Sequence, residues 1–124
     1  MDVPDEPILD TVVLDELAAS VGGDRGFVAD LIQTYLADSS GQVDAVEAAV
    51  PAGDAEALVR PAHTLKSSSA TLGAKQLSAL ARRLEMTGRS GSLDDDARAD
   101  ATLLREAWQS ATGALRAWMA GESG

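Results

Sequence analysis

Apolar residues recur at every third or fourth position along most of this chain, and glycine and proline interrupt the pattern at a few points. This spacing is typical of helices that bury one face, whereas exposed strands show strict alternation. Five such segments follow one another, and together they predict an all-α protein. Their apolar stripes begin at Leu14, Val28, Leu58, Leu77 and Leu104.

Each segment is bounded by residues that start or stop helices. Asp10, Asp24 and Asp54 stand where a side-chain oxygen can cap a first helical turn. A Ser-x-x-Asp box begins at Ser92, so we expect the last helix to begin there. The expected stops are the pair Gly22 and Gly23, then Pro51, Gly73 and a loop at Gly88–Gly91.

Length and composition fit a single helical bundle. A chain of 124 residues suits one domain, and its hydrophobic residues, 45% of the total, include few aromatic ones, which favours closely packed helices. Residues 1–9 hold two prolines among acidic residues and predict a flexible lead-in. We expect the bundle to occupy residues 10–120, followed by a frayed C-terminus at residues 121–124.

Composition also excludes several kinds of site and partner. The chain has no cysteine, so it has no disulfide and no thiolate metal site. Its net charge of -10 repels phosphate backbones, so we expect no nucleic-acid partner. No apolar run reaches the roughly 18 residues of a membrane span, and the N-terminus lacks the basic region of a signal peptide. We therefore expect a cytoplasmic protein without membrane contact.

Charge is distributed unevenly along the chain. Residues 1–62 contain 13 acidic and 2 basic residues, whereas residues 63–124 contain 7 acidic and 8 basic residues. Within residues 63–89, five basic residues stand against the single acid Glu85. This basic region contains the only histidine of the chain, His63, and it can attract a phosphoryl group or an acidic pocket of a partner.

The segment around His63 has two distinct helical faces. Leu58, Ala62, Leu65, Ser69 and Leu72 share one side, which we expect to face the core. The neighbouring side is expected to face solvent, and it carries His63, Lys66, Ser67 and Ala70. Pro61 lies within the same helix and predicts a local kink shortly before the histidine.

Residues Ala62 to Ala74, reading Ala-His-Thr-Leu-Lys-Ser-Ser-Ser-Ala-Thr-Leu-Gly-Ala, resemble the signature of the histidine phosphotransfer (HPt) domains. Ser67 departs from the glycine that is commonest there, but serine is also small enough to leave the ring uncovered. The matching positions are His63, Leu65, Lys66, Ser67, Ser68, Leu72, Gly73 and Ala74.

The resemblance implies an antiparallel four-helix bundle of up-down-up-down topology, to which the pattern adds a short N-terminal helix. It implies a phosphorelay intermediate that accepts a phosphoryl group on His63 from a phospho-aspartate of a receiver domain and passes it to another receiver aspartate. The expected partners are response-regulator receiver domains and a hybrid sensor histidine kinase. No cofactor is expected on this chain, since the magnesium ion belongs to the receiver, and the chain is expected to be a monomer.

If the third and fourth helices pack antiparallel about a turn near Ala74, residues equally distant from that turn lie level with each other. His63 then faces Glu85, whose carboxylate can accept a hydrogen bond from one ring nitrogen and fix the tautomer. Glu85 can instead form a surface salt bridge with Lys66 or Arg89. Lys66, and Arg89 from the facing helix, are expected to neutralise the phosphoryl oxygens.

Two other functions remain open at the level of sequence. One is a helical adaptor that binds receiver domains or kinases without phosphotransfer, for which Leu14, Leu17 and Phe27 are candidate docking residues if they are not core. The other is an enzyme, which the residues disfavour. There is no nucleotide-binding motif, and a single histidine without cysteine cannot build the metal centres of helical bundles. The acids Asp94–Asp96 diverge around a helix and suit its N-terminal end better than a metal site. We therefore expect a phosphocarrier without kinase activity of its own.

Overall fold

A computed structural model of the chain describes residues 2–121, which form five α-helices and no strand. The predicted all-α class and the short N-terminal helix are confirmed. The helices are α1 (Thr11–Ser20), α2 (Arg25–Ala49), α3 (Ala55–Thr71), α4 (Lys75–Ser90) and α5 (Asp95–Met119). Of the predicted frayed C-terminus at residues 121–124, all but Gly121 lies outside the described residues.

Aspartate side chains cap four of the five helices. Asp10, Asp24 and Asp54 accept hydrogen bonds from backbone N–H groups of the first turns of α1, α2 and α3, as predicted. The fourth cap is Asp94, which accepts from the N–H of Ala97 at 3.1 Å. These interactions satisfy backbone donors that have no partner within the helix.

The predicted start of the last helix at Ser92 is wrong. Asp94 has extended backbone angles, with φ of -125° and ψ of -169°, so the helix begins at Asp95. Leu93 packs against the core just before this cap. Because a carboxylate already accepts the first-turn hydrogen bond at Asp94, the Ser-x-x-Asp pattern is not used as a capping box.

The predicted loop at Gly88–Gly91 is also wrong. Helix α4 continues through Gly88 and ends at Ser90, and Gly91 follows with a positive φ of 79°. Gly88 is buried inside the helix, so the absence of its side chain serves packing against a neighbour. Pro51, Gly73 and the pair Gly22 and Gly23 lie outside the helices, as predicted.

The core is built mainly from leucine and alanine side chains of all five helices. Helix α3 packs most extensively on α4, while α2 contacts α1, α3 and α5, and α4 also contacts α5. Trp118, near the end of α5, is buried, and its Nε1 donates to Asp15. The largest fully buried side chains are Leu14, Val28, Ile32, Val43, Val46, Leu58, Leu65, Leu77, Leu80, Leu84, Leu104 and Leu115.

Residues preceding α1 contact the beginning of α4. The backbone N–H of Gln76 donates to the carbonyl of Pro7 at 3.0 Å, and the N–H of Asp10 donates to the carbonyl of Gly73 at 2.8 Å. The carbonyl of Pro7 thus serves as an acceptor for a first-turn N–H of α4, whose N-cap, Ala74, has no side-chain acceptor. The flexibility predicted for residues 1–9 stays a prediction.

Candidate functional site

Helix α3 has the two faces that its sequence predicts. Leu58, Ala62, Leu65 and Ser69 are fully buried, whereas the histidine lies on the exposed side. The hydroxyls of Ser69 and Tyr35 of α2 lie 2.7 Å apart, and burial raises the pKa of Tyr35 to about 12. This neutral hydrogen bond links the buried side of α3 to α2.

Gly88 brings α4 close to α3 near the site. A Cβ atom at Gly88 would lie 2.9 Å from Cγ2 of Val59 and 3.0 Å from the carbonyl oxygen of Ala55. Only glycine fits this approach without displacing α3. Because Gly88 lies one turn after Glu85, it holds this part of α4 within reach of the histidine helix.

His63 and Glu85 are joined across the two helices, as the level pairing predicts. Nδ1 of His63 lies 2.9 Å from Oε2 of Glu85. The imidazole is half exposed, at 53% of its side-chain surface, whereas the side chain of Glu85 is only 6% exposed. A buried carboxylate therefore holds a ring that solvent and a partner can reach.

Glu85 also binds two cations. Nζ of Lys66 lies 2.7 Å from Oε1 of Glu85, and Nε and Nη2 of Arg89 lie 3.1 Å and 2.7 Å from Oε2. The sequence left open whether Glu85 pairs with the ring or with a cation, and the structure shows both at once. The anticipated surface salt bridge is instead a buried carboxylate that receives donors from both helices.

These contacts stabilise the ionised form of Glu85. The hydrogen bond from Lys66 lowers the pKa of the carboxyl most, burial raises it, and the hydrogen bonds from Arg89 and His63 lower it further, so the pKa falls from 4.5 to about 2. Glu85 therefore carries a full negative charge at neutral pH. An ionised carboxylate only accepts hydrogen bonds.

This assignment fixes the tautomer of the neutral imidazole. Because Glu85 accepts, Nδ1 of His63 must donate, and in the neutral ring the lone pair then resides on Nε2. Within residues 2–121, Nε2 has no hydrogen-bond partner. In that form of the ring the site presents Nε2 as the nucleophilic nitrogen, with positive charge nearby, which is what attack on a phosphoryl group requires.

Ser67 lies one turn after His63 on the same exposed side of α3. Its small side chain leaves the space beside the ring uncovered. Ser78 of α4 donates its hydroxyl to the carbonyl of Lys66 at 2.7 Å, so small residues again lie between the two helices. Pro61 lies inside α3, and the predicted kink stays a prediction.

Sequence reasoning missed two features of the site, namely the role of Gly88 and the burial of Glu85. If the predicted α4 had included Gly88, the pairing of α3 with α4 would have placed Gly88 beside Val59. The sequence would then have predicted a close approach of the two helices at this glycine. The burial of Glu85 also had a signal in the sequence, because Glu85 follows Ala81 by four residues and so continues the buried stripe of α4.

The prediction that Leu14 is a docking residue is wrong, because Leu14 is fully buried in the core. Leu17 is partly buried against that core. Phe27 is 46% exposed, and Leu31, one turn later on α2, is 38% exposed. Of the three residues named from the sequence, Phe27 therefore offers the most accessible apolar surface.

Two properties of the described residues bear on other functions. Across residues 2–121, acidic and histidine side chains nowhere gather in a group of three that could hold a metal ion. Over the same range, every helix is too short or too polar to cross a lipid bilayer.

Comparison with known proteins finds a matching family and similar solved structures. The sequence model of the Hpt domain family matches residues 30–118, which is more than half of the chain. Among solved structures, the chain is similar to histidine-containing phosphotransfer protein B (HptB) from Pseudomonas aeruginosa PAO1, with 28% sequence identity and a TM-score of 0.82. That similarity covers 93% of this chain and 96% of the other. No curated protein matches the chain.

Proposed function

Because the chain belongs to the Hpt domain family, we propose that it is a phosphorelay intermediate that carries a phosphoryl group on His63. The group arrives from a phospho-aspartate of one receiver domain and leaves to an aspartate of another. The observation that carries the proposal is the half-exposed imidazole whose Nδ1 is held by the buried carboxylate of Glu85.

The transfer requires only nucleophilic displacement at phosphorus. The lone pair of Nε2 attacks the phosphorus atom in line with the bond to the aspartyl oxygen, that bond breaks, and the donor carboxylate leaves. The hydrogen bond to Glu85 keeps the proton on Nδ1, so Nε2 is the basic nitrogen throughout the approach. Passing the group onward reverses these steps with a second aspartate as the nucleophile.

Lys66 and Arg89 are proposed to neutralise the charge on the phosphoryl oxygens. Lys66 follows His63 by one turn of α3, and Arg89 extends from α4 with 60% of its side chain exposed. Positive groups aimed at developing negative charge are the main source of catalysis in phosphoryl transfer. We propose that Ser67 contributes by its small size, which lets the receiver surface reach the ring.

The proposed partners are response-regulator receiver domains and a hybrid sensor histidine kinase. The receiver supplies the acidic pocket and the magnesium ion, so no cofactor is assigned to this chain. We propose a phosphocarrier without kinase activity of its own, because the sequence has no glycine-rich loop for nucleotide phosphates. Action with these partners implies the cytoplasm, and we propose that the chain acts there as a monomer.

We also propose that α2 to α5 form an antiparallel up-down-up-down bundle within residues 10–120, with α1 as an addition. Contacts between α2 and α5 support this arrangement, because early residues of α2 meet late residues of α5. Arg25 bonds to the carbonyl of Trp118, whereas Glu47 pairs with Arg105. Helices α3 and α4 also run antiparallel. Ser78, early in α4, bonds to Lys66, whereas Glu85, later in α4, contacts His63, which precedes Lys66.

The test is incubation of the purified chain with receiver domains that carry radiolabelled phosphoryl groups. We expect label on this chain that is stable in base and lost in acid, at up to one phosphate per molecule because the sequence has one histidine. The variant His63→Gln should acquire no label. Incubation with labelled ATP alone should also give none.

A receiver that binds the wild type without ever transferring label would favour the adaptor function instead. Binding of receiver to His63→Gln, measured by calorimetry, keeps these outcomes separate from loss of folding. Label that persists in His63→Gln would overturn the assignment of the site.

A further inference from the structure

The group that accepts the hydrogen bond from Nδ1 of His63 is the charged carboxylate of Glu85, although a neutral amide could accept the same hydrogen bond. The difference between the two is the negative charge, which lies 2.9 Å from Nδ1. At such a distance, a desolvated opposite charge strongly favours a proton on the nitrogen. The charge therefore has a consequence after phosphorylation as well as before it.

Attack by Nε2 first yields a ring that carries both the phosphoryl group and the Nδ1 proton. Such a phosphoimidazolium loses the Nδ1 proton readily unless a neighbouring group retains it. Before transfer, Glu85, Lys66 and Arg89 together carry one positive charge, and a dianionic phosphoryl group makes the assembly negative. Retention of the Nδ1 proton restores neutrality, and its loss leaves a net negative charge in a partly buried site.

We propose that Glu85 retains the Nδ1 proton on phosphorylated His63, and so keeps the phosphoryl group in its readily transferable form. This inference rests on the proposed function, in which His63 is the residue that is phosphorylated. It makes Glu85 a positioning residue that acts on phosphorus through the imidazole. The Glu85 carboxylate then sets the lifetime of the phosphorylated protein.

The chemical reason is the leaving group of the onward step. When an acceptor carboxylate or water attacks the phosphorus atom, the bond from phosphorus to Nε2 breaks and its electron pair returns to the ring. With Nδ1 protonated, the ring leaves as neutral imidazole. Without that proton it would leave as imidazolate, which is a far stronger base and a poor leaving group. Retention of the proton therefore speeds both transfer and hydrolysis.

Charged groups on three helices face this region. On α3, Arg60 and Lys66 lie one turn before and one turn after His63, and on α4 lie Glu85 and Arg89. From α2, Asp38 lines a groove together with Thr64, the residue after His63. Lys66 and Arg89 oppose protonation of the ring but are bound to Glu85, the exposed Arg60 is screened by solvent, and the phosphoryl group adds two negative charges. The balance of these charges favours the proton.

The experiment uses chain labelled with ¹⁵N and phosphorylated chemically with phosphoramidate, so that no receiver is needed. The ¹⁵N shifts of the phosphorylated ring give the pH at which Nδ1 loses its proton. For the folded wild type we expect this midpoint to lie at least about one pH unit above that of the same phosphorylated chain in urea, the lower end of the effect of an opposite charge at this distance. The two samples have the same covalent structure, so this comparison needs no variant.

Glu85→Gln separates charge from hydrogen bonding, because the amide oxygen still accepts from Nδ1. We expect its midpoint to lie about one pH unit below that of wild type. Above both midpoints, its phosphoryl group should hydrolyse about tenfold more slowly, which is the ratio of protonated rings at that shift. Glu47→Gln is the matched control, since Glu47 pairs with Arg105 away from the histidine, and it should behave as wild type.

Equal midpoints for the folded wild type and the unfolded chain would overturn the inference, as would equal lifetimes for wild type and Glu85→Gln. Neither result would contradict the proposed phosphorelay function, which is tested by transfer from a receiver. Conversely, a failure of receivers to label the chain would remove the relay, whereas the chemical phosphorylation would still report on Nδ1.

Discussion

Nδ1 of His63 on α3 lies 2.9 Å from Oε2 of Glu85 on α4, so an exposed imidazole is held by a buried carboxylate of the facing helix. The same carboxylate receives Lys66 and Arg89. One side chain thereby determines the tautomer of the ring and the positions of the two cations beside it. Changes to this arrangement should be visible in transfer rate and in stability.

Lys66→Gln should slow phosphoryl uptake from a phosphorylated receiver about tenfold, which corresponds to about 1.4 kcal/mol of lost electrostatic stabilisation of the transition state. The ammonium group lies one turn after His63 on the same helix, and it is bound to the carboxylate that also contacts the ring. The measurement is the initial rate of label transfer at saturating receiver. Lys75→Gln is the control, because Lys75 pairs with Asp10 at the other end of α4 and should retain the wild-type rate. Equal loss of rate in both variants would indicate a general charge effect rather than a role for Lys66.

Glu85 should make the stability of the protein depend on pH in the acidic range. Its pKa is about 2 when folded and near 4.5 when unfolded, so the carboxylate stabilises the fold above about pH 4.5. That contribution is lost as pH falls towards 2. We expect about 1 to 2 kcal/mol, less than the roughly 3 kcal/mol of an unscreened shift of this size, because solvent screens the exposed Arg89. Urea unfolding of wild type and Glu85→Gln at pH 7 and pH 3 measures the difference.

The control for this prediction is Glu106→Gln, an exposed glutamate of α5. Its stability relative to wild type should be the same at both pH values. The advantage of wild type over Glu85→Gln should be clear at pH 7 and smaller at pH 3. An advantage that grows as the pH is lowered would contradict a lowered pKa of Glu85 in the folded protein.

Gly88→Ala should destabilise the protein by about 1 to 2 kcal/mol. The added methyl group would meet Val59 and the carbonyl oxygen of Ala55, and the latter is backbone that cannot rotate away. This overpacking outweighs the gain of up to about 1 kcal/mol that alanine brings to a helix interior. Thermal or urea unfolding measures the change.

Gly113→Ala provides the matched comparison in α5. A Cβ at Gly113 meets nothing within 4 Å, so only the helix-propensity gain remains, and the variant should be more stable than wild type by up to about 1 kcal/mol. Stabilisation by both substitutions would mean that α3 and α4 do not approach closely at Gly88.

Local signals predicted most of the helix boundaries. Asp10, Asp24 and Asp54 cap the helices that their positions indicated. Two helix boundaries were predicted wrongly, one where two local signals compete and one where packing overrides a local signal. Ser92 and Asp94 are both good caps, and the packing of Leu93 on the core decides for the second. Gly88 is typical of a helix stop, but its place against α3 makes it a contact point.

The candidate site likewise has features that the sequence predicted and one that it left open. Helical periodicity predicted that His63 faces outward, and the level pairing about Ala74 predicted that Glu85 lies opposite it. The sequence could not decide between a ring contact and a salt bridge for Glu85. That choice depends on the depth of α4 against α3, which no local pattern encodes.

The sequence by itself determined the helical class, the outward face of the histidine segment and the family resemblance, because these follow from spacing along one helix and from residue identity. Tertiary structure alone decided that the carboxylate of Glu85 contacts the imidazole and both cations together. The reason is physical: the distance between two helices is set by the side chains between them, here by the missing Cβ of Gly88. Burial of a charge, and hence its strength, follows from that distance.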